Sequence, residues 1–122
     1  MVYFLIKEFN LKLYGIKTCG SVKKAMKFLK DNGVEYEFID FKTTPPSHEQ
    51  IERWSSEVGL EKLLNTKGTK YRTLKLKELN LDDSGKKEWM IKEPLLIKRP
   101  VIEDEKGILV AFDEEVYRDR YL

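Results

Sequence analysis

A chain of 122 residues can bury one hydrophobic core and is short for two ordinary domains. Its 23 basic and 21 acidic side chains nearly cancel to a net charge of +2, which argues against a general nucleic-acid binder, and its one cysteine excludes an internal disulfide and points to a reducing cytoplasm. The apolar run Val2 to Ile6 stops at Lys7 and Glu8, too short for a signal peptide's apolar region or for a membrane span.

Leu11 to Gly15 reads as a buried strand. Gly20 to Asn32 follows with helical period: Val22, Ala25, Met26 and Leu29 fall at i, i+3, i+4 and i+7, Lys23, Lys27 and Lys30 occupy another face, and Gly33 supplies a left-handed stop. Val34 to Phe41 reads as a second strand, apolar at most positions and so expected in the interior of a sheet. Such a β-α-β unit implies parallel strands with a right-handed crossover. After Pro45 and Pro46, Ser47 and Gln50 form a capping box, and a helix runs to Gly59 with Ile51, Trp54 and Val58 inward. From 60 to 93 the periodicity is helical but broken into Leu63-Leu64, Tyr71 to Leu79 and Ser84 to Glu93, which reads as a helical insert. Beyond Pro94 the chain is extended from Arg99 to Glu103, reverses through Glu105-Lys106-Gly107, returns from Ile108 to Ala111 and ends in a helix from Asp113 to Tyr121. The whole predicts a single α/β domain over 1–122.

Cys19 lies where the first strand gives way to a turn and a helix begins. Unpaired N–H groups and the positive end of the helix dipole favour a thiolate there, and Lys17, Lys23 and Lys24 are expected to add positive charge. Lowering a thiol's pKa raises its thiolate fraction but lowers its intrinsic nucleophilicity, so attack gains little while departure from a mixed disulfide gains more. The position therefore suits reversible thiol exchange. The plainer alternative is a small apolar residue at a strand end. Ser21 can cap the helix or donate to the thiolate. Lys67, Lys70, Arg72, Lys75 and Lys77 follow one another with no acid between them, either as a solvated face or as a docking patch for an acidic partner or for the carboxylates of glutathione. His48, in a first helical turn, reads as surface, and no metal cluster, Gly-rich phosphate loop or serine triad is visible.

Five segments, in order, carry a further reading: Tyr14-Gly15-Ile16-Lys17-Thr18-Cys19, Lys23-Lys24-Ala25, Leu63-Leu64-Asn65-Thr66-Lys67-Gly68-Thr69, Ile97-Lys98-Arg99-Pro100, and Gly107 through Phe112-Asp113. From Leu11 to Leu122 the chain is similar to the arsenate reductase/Spx superfamily, most of all to its YffB branch. The resemblance implies a thioredoxin-like fold of the glutaredoxin type: a mixed sheet of about four strands with the insert between β-α-β and β-β-α halves. It also implies a reactive Cys19, a cis peptide at Arg99-Pro100 beside the sulfur, and Arg99 placed to lower the thiol's pKa or hold an anion. Lys17, Ser21, Asn65, Lys67 and Pro100 complete the candidate substrate-binding set.

The chain also departs from the pattern. Val22 stands where a second cysteine three residues on would make an Spx-type redox switch. Of three arginines that hold arsenate in this family, Arg99 matches one, Asn65 occupies the place of another, and the third falls near Ala111 or Phe112. The activity implied is glutathione-linked thiol reduction with no bound cofactor, glutathione serving as co-substrate and a glutaredoxin or thioredoxin as partner. The alternatives are a non-catalytic Spx-like protein that binds RNA polymerase, and an arsenate reductase.

Overall fold

The computed structural model describes residues 11–122; the run Val2 to Ile6 falls outside them. In chain order the elements are β1 (Lys12–Gly15), α1 (Gly20–Asp31), β2 (Glu37–Asp40), α2 (His48–Val58), α3 (Leu60–Leu63), α4 (Thr69–Thr73), a 3-10 turn (Leu76–Leu79), α5 (Asp83–Lys92), a second 3-10 turn (Pro94–Leu96), β3 (Val101–Asp104), β4 (Gly107–Val110) and α6 (Glu114–Tyr121). The sheet order is β2-β1-β3-β4. β1 runs parallel to β2 and antiparallel to β3, and β3 and β4 form the hairpin. This is the thioredoxin-like α/β arrangement with a helical insert.

Strand alternation divides the core into two layers. Leu13 and Ile102 face α1 and α6, packing with Val22, Ala25, Leu29 and Tyr117. Tyr14, Val101 and Ile108 face the other way, onto Ile51, Trp54, Leu63, Leu76, Met90 and Leu96. A carboxylate ties that second layer together. Glu103 accepts from Trp54 Nε1 at 2.9 Å, from Tyr14 OH at 3.2 Å and from Arg53 Nη2. Burial pushes the Glu103 carboxyl up, but these donors outweigh it and hold it below its ordinary value.

Two expectations are corrected. The second strand was expected in the sheet interior, yet among the described residues β2 has a strand neighbour on one side only, and its length shrinks from 34–41 to Glu37–Asp40. Residues before it finish the preceding helix: Gly33, at φ +69°, donates to Lys30 O, and Val34 donates to Leu29 O. Val34, Tyr36 and Phe38 pack against the α1 layer and Ile39 and Phe41 against the other, so the apolar run reflects cover on both faces rather than the number of strand neighbours. The helix expected from Tyr71 to Leu79 is broken as well. Lys75 and Asn80, at φ 54° and 47°, are left-handed and bracket the 3-10 turn, leaving α4 only five residues. The capping box stands as read, with Gln50 N–H donating to Ser47 Oγ at 3.2 Å and Ser47 N–H to Gln50 Oε1 at 2.9 Å.

Candidate active site

β1 delivers the chain to Cys19 through a tight turn in which Cys19 N–H donates to Ile16 O at 3.2 Å. Cys19 is itself the N-cap of α1, extended at φ −77° and ψ 128°, and its carbonyl accepts from Lys23 N–H at 3.0 Å. The cap expected of Ser21 is therefore corrected: Ser21 sits second in the helix, and its backbone N–H, not its hydroxyl, influences the sulfur. Cys19 is half-buried and touches both core layers, at the end of the sheet where they meet. Gly15 makes this approach close. A Cβ there would lie 2.6 Å from Val22 Cγ2, inside any real contact.

The thiol makes no formal capping hydrogen bond, but its surroundings favour the anion. Burial raises its pKa; the Val22 N–H, the Arg99 guanidinium and the Ser21 N–H lower it, and together they prevail, holding the thiol below its ordinary value. Lys17, Lys23 and Lys24, expected to supply the positive charge, are not the groups that set it. Their side chains are exposed, and Lys17 lies over the Phe38 ring at 5.9 Å. A flexible exposed ammonium loses most of its field to water, whereas a fixed, part-buried guanidinium does not.

Arg99 is fixed from behind. Its Nη1 donates to Leu95 O at 2.7 Å and Ile97 O at 3.1 Å, and its Nε is buried with no hydrogen-bond partner among the described residues. The Arg99-Pro100 peptide is cis, and Pro100 is buried. Two backbone pairings frame this step: Asn65 N–H donates to Leu96 O at 2.8 Å, and Ala111 N–H to Pro100 O at 2.8 Å. The Asn65 side chain packs on Gly68, where an added Cβ would meet its Nδ2 at 2.6 Å. Lys67 is exposed in the intervening turn. The structure thus brings Arg99 to Cys19, with Asn65 and Ala111 beside the Arg99-Pro100 segment, while Lys17 and Lys67 stay on the rim.

Three contributors went unread in the sequence. The Val22 backbone N–H and the Leu95 and Ile97 carbonyls act through main-chain atoms, which leave no mark on residue type. Gly15, before the turn, was the one visible signal. A groove of about 540 Å³ lies away from the cysteine, between α1 and the start of α6, with Lys24, Phe28, Phe112 and Arg118 in its walls. Among the described residues no cluster of His, Cys, Asp and Glu could hold a metal, and no helix is long and apolar enough to cross a membrane. His48 is exposed, 3.3 Å from Glu88.

Residues 14–120 match the model of the ArsC family. The chain belongs to the ArsC family. It is 33% identical over 116 residues to the protein YusI of Bacillus subtilis, covering 92% of this chain and 98% of that one. With an arsenate reductase of Yersinia enterocolitica it shares 27% identity, covering 90% of this chain and 79% of the relative. Among solved structures, a protein described as YFFB superposes with a TM-score of 0.84 at 37% identity, covering 89% of this chain and 96% of that one.

Proposed function

We propose that this protein is a thiol-dependent reductase in which Cys19 is the nucleophile and glutathione the reductant. The observation that carries the reading is the Cys19 thiol held low by the Val22 N–H and a clamped Arg99. The Cys19 thiolate attacks one sulfur of a substrate disulfide, forms a mixed disulfide and releases the other sulfur as a thiolate. A glutathione thiolate then attacks the outer sulfur of that adduct, Cys19 departs as thiolate, and a second glutathione completes the two-electron reduction, leaving oxidised glutathione. With one cysteine in the chain, the resolving thiol must come from another molecule. A glutaredoxin could supply it in place of glutathione.

Relatives bear the name arsenate reductase, but this site is short of cations for a doubly charged oxyanion. Arg99 already spends Nη1 on two carbonyls, Asn65 is neutral, and Ala111 at φ 72° and Phe112 offer no fork. Each missing charge-assisted hydrogen bond forgoes about 1.5–3 kcal/mol. A disulfide makes no such demand.

Exposure to oxidised glutathione tests the reading. The folded chain should gain one glutathione by mass, and reduced glutathione should strip it much faster than from the same adduct unfolded in urea. Equal rates for folded and unfolded adducts would show that the fold contributes nothing to exchange.

A further inference from the structure

The basic run from Lys67 to Lys77 is divided by the fold. Lys70 pairs with Glu93 at 3.8 Å, while Lys67, Arg72 and Lys75 are exposed. Lys77, also exposed, lines with Lys86 a cleft of about 220 Å³ whose other walls are Leu64, Tyr71, Leu76, Asn80 and Leu81. Leu64 and Leu76 are 5% and 2% exposed, so the floor is core, and both lysines line the same cleft. Among the described residues no acidic side chain lines the cleft, and neither ammonium has an ion-pair or hydrogen-bond partner.

We propose that this cleft binds a small organic carboxylate: an apolar body of roughly six to ten non-hydrogen atoms over the leucines, with its carboxylate between Lys77 and Lys86. The size follows from the volume, since a cavity of roughly 150 Å³ holds a benzene-sized body and sites for larger ligands start near 300 Å³. Charge selects an anion: two lysines line the cleft with no acidic residue among its described walls, so a carboxylate gains where a neutral or cationic head group would not. The apolar floor selects against a bare inorganic anion, which would desolvate without gaining any apolar contact. The left-handed Lys75 and Asn80 at either end of the 3-10 turn Leu76–Leu79 hold one wall of the cleft in place. The site is separate from the cysteine chemistry and stands whether or not Cys19 is a nucleophile.

The test is a titration of the full chain with hexanoate, followed by amide chemical shifts, with hexanol and inorganic phosphate as parallel probes. Saturable shifts confined to residues 64–86 are expected with hexanoate, with affinity at least tenfold above hexanol and phosphate. Lys77→Met and Lys86→Met should together weaken hexanoate at least tenfold, and Cys19→Ser should leave it unchanged. Equal affinity for hexanol would make the cleft merely apolar, and equal affinity for phosphate merely cationic; either overturns the proposal. So does hexanoate binding that survives the double lysine replacement, or no saturation below about 10 mM.

Discussion

Gly15→Ala places a methyl group 2.6 Å from Val22 Cγ2, and Val22 is fully buried. A β-branched side chain has little rotameric freedom in a helix, so the first turn of α1 must move rather than the methyl alone. Overpacking of this kind costs about 1–3 kcal/mol. Loss of glycine's freedom in the unfolded chain returns about 0.4–1 kcal/mol, leaving a net loss of about 1–2 kcal/mol. Because Val22 N–H is the foremost group favouring the Cys19 anion, the same movement should raise the thiol's pKa and slow its alkylation near neutral pH. Val22→Ala alone should cost about 2 kcal/mol through lost burial. In the double variant the clash is gone, so its loss should fall short of the sum by about 1 kcal/mol or more. Urea denaturation of the four proteins, with iodoacetamide rates alongside, gives both readouts. Strict additivity, or a Gly15→Ala protein as stable as the parent with an unchanged Cys19 rate, would refute the close-approach reasoning.

Glu103→Ala should destabilise by about 2–3 kcal/mol in urea, chiefly because it strands Trp54 Nε1 in a fully buried residue; the half-exposed Arg53 pair adds little. Since the folded Glu103 carboxyl titrates below its ordinary value of 4.5, its contribution is present above that pH and lost as pH falls through the folded value. Glu103→Gln should therefore flatten the acid limb of stability against pH, and an unchanged limb would remove Glu103 from that role. Arg99→Met should raise the Cys19 pKa with the circular dichroism spectrum unchanged, and Arg99→Lys should recover part of the effect, since a cation returns without the fork held by Leu95 and Ile97. An identical titration in Arg99→Met would separate the guanidinium from the sulfur.

Where side chains carry the signal, the sequence was legible. The period of Val22, Ala25 and Leu29 locates α1, Ser47 and Gln50 locate the start of α2, and the strand-turn-helix pattern around Cys19 locates the thiol. Edge and interior strands were confused because β2 and its flanks pack apolar residues on both layers, as an interior strand does, yet among the described residues β2 has a sheet neighbour on one side only, a distinction that composition cannot make. The breaks at Lys75 and Asn80 were hidden because neither is a glycine. The sources of charge at the site were misassigned for a related reason. Lys17, Lys23 and Lys24 are near in sequence, whereas the effective cation is Arg99, brought eighty residues along the chain by β3 and held by main-chain carbonyls.

The central claim, that the fold makes Cys19 a thiolate poised for exchange, is tested most directly by its iodoacetamide alkylation rate measured from pH 4 to pH 10, with glutathione as the free-thiol reference. The account predicts a single titration with its midpoint clearly below that of the free thiol, shifting up to the free-thiol position when the chain is unfolded in urea. A folded-state midpoint at or above about 8.5 would contradict it and leave Cys19 a packing residue at the end of β1.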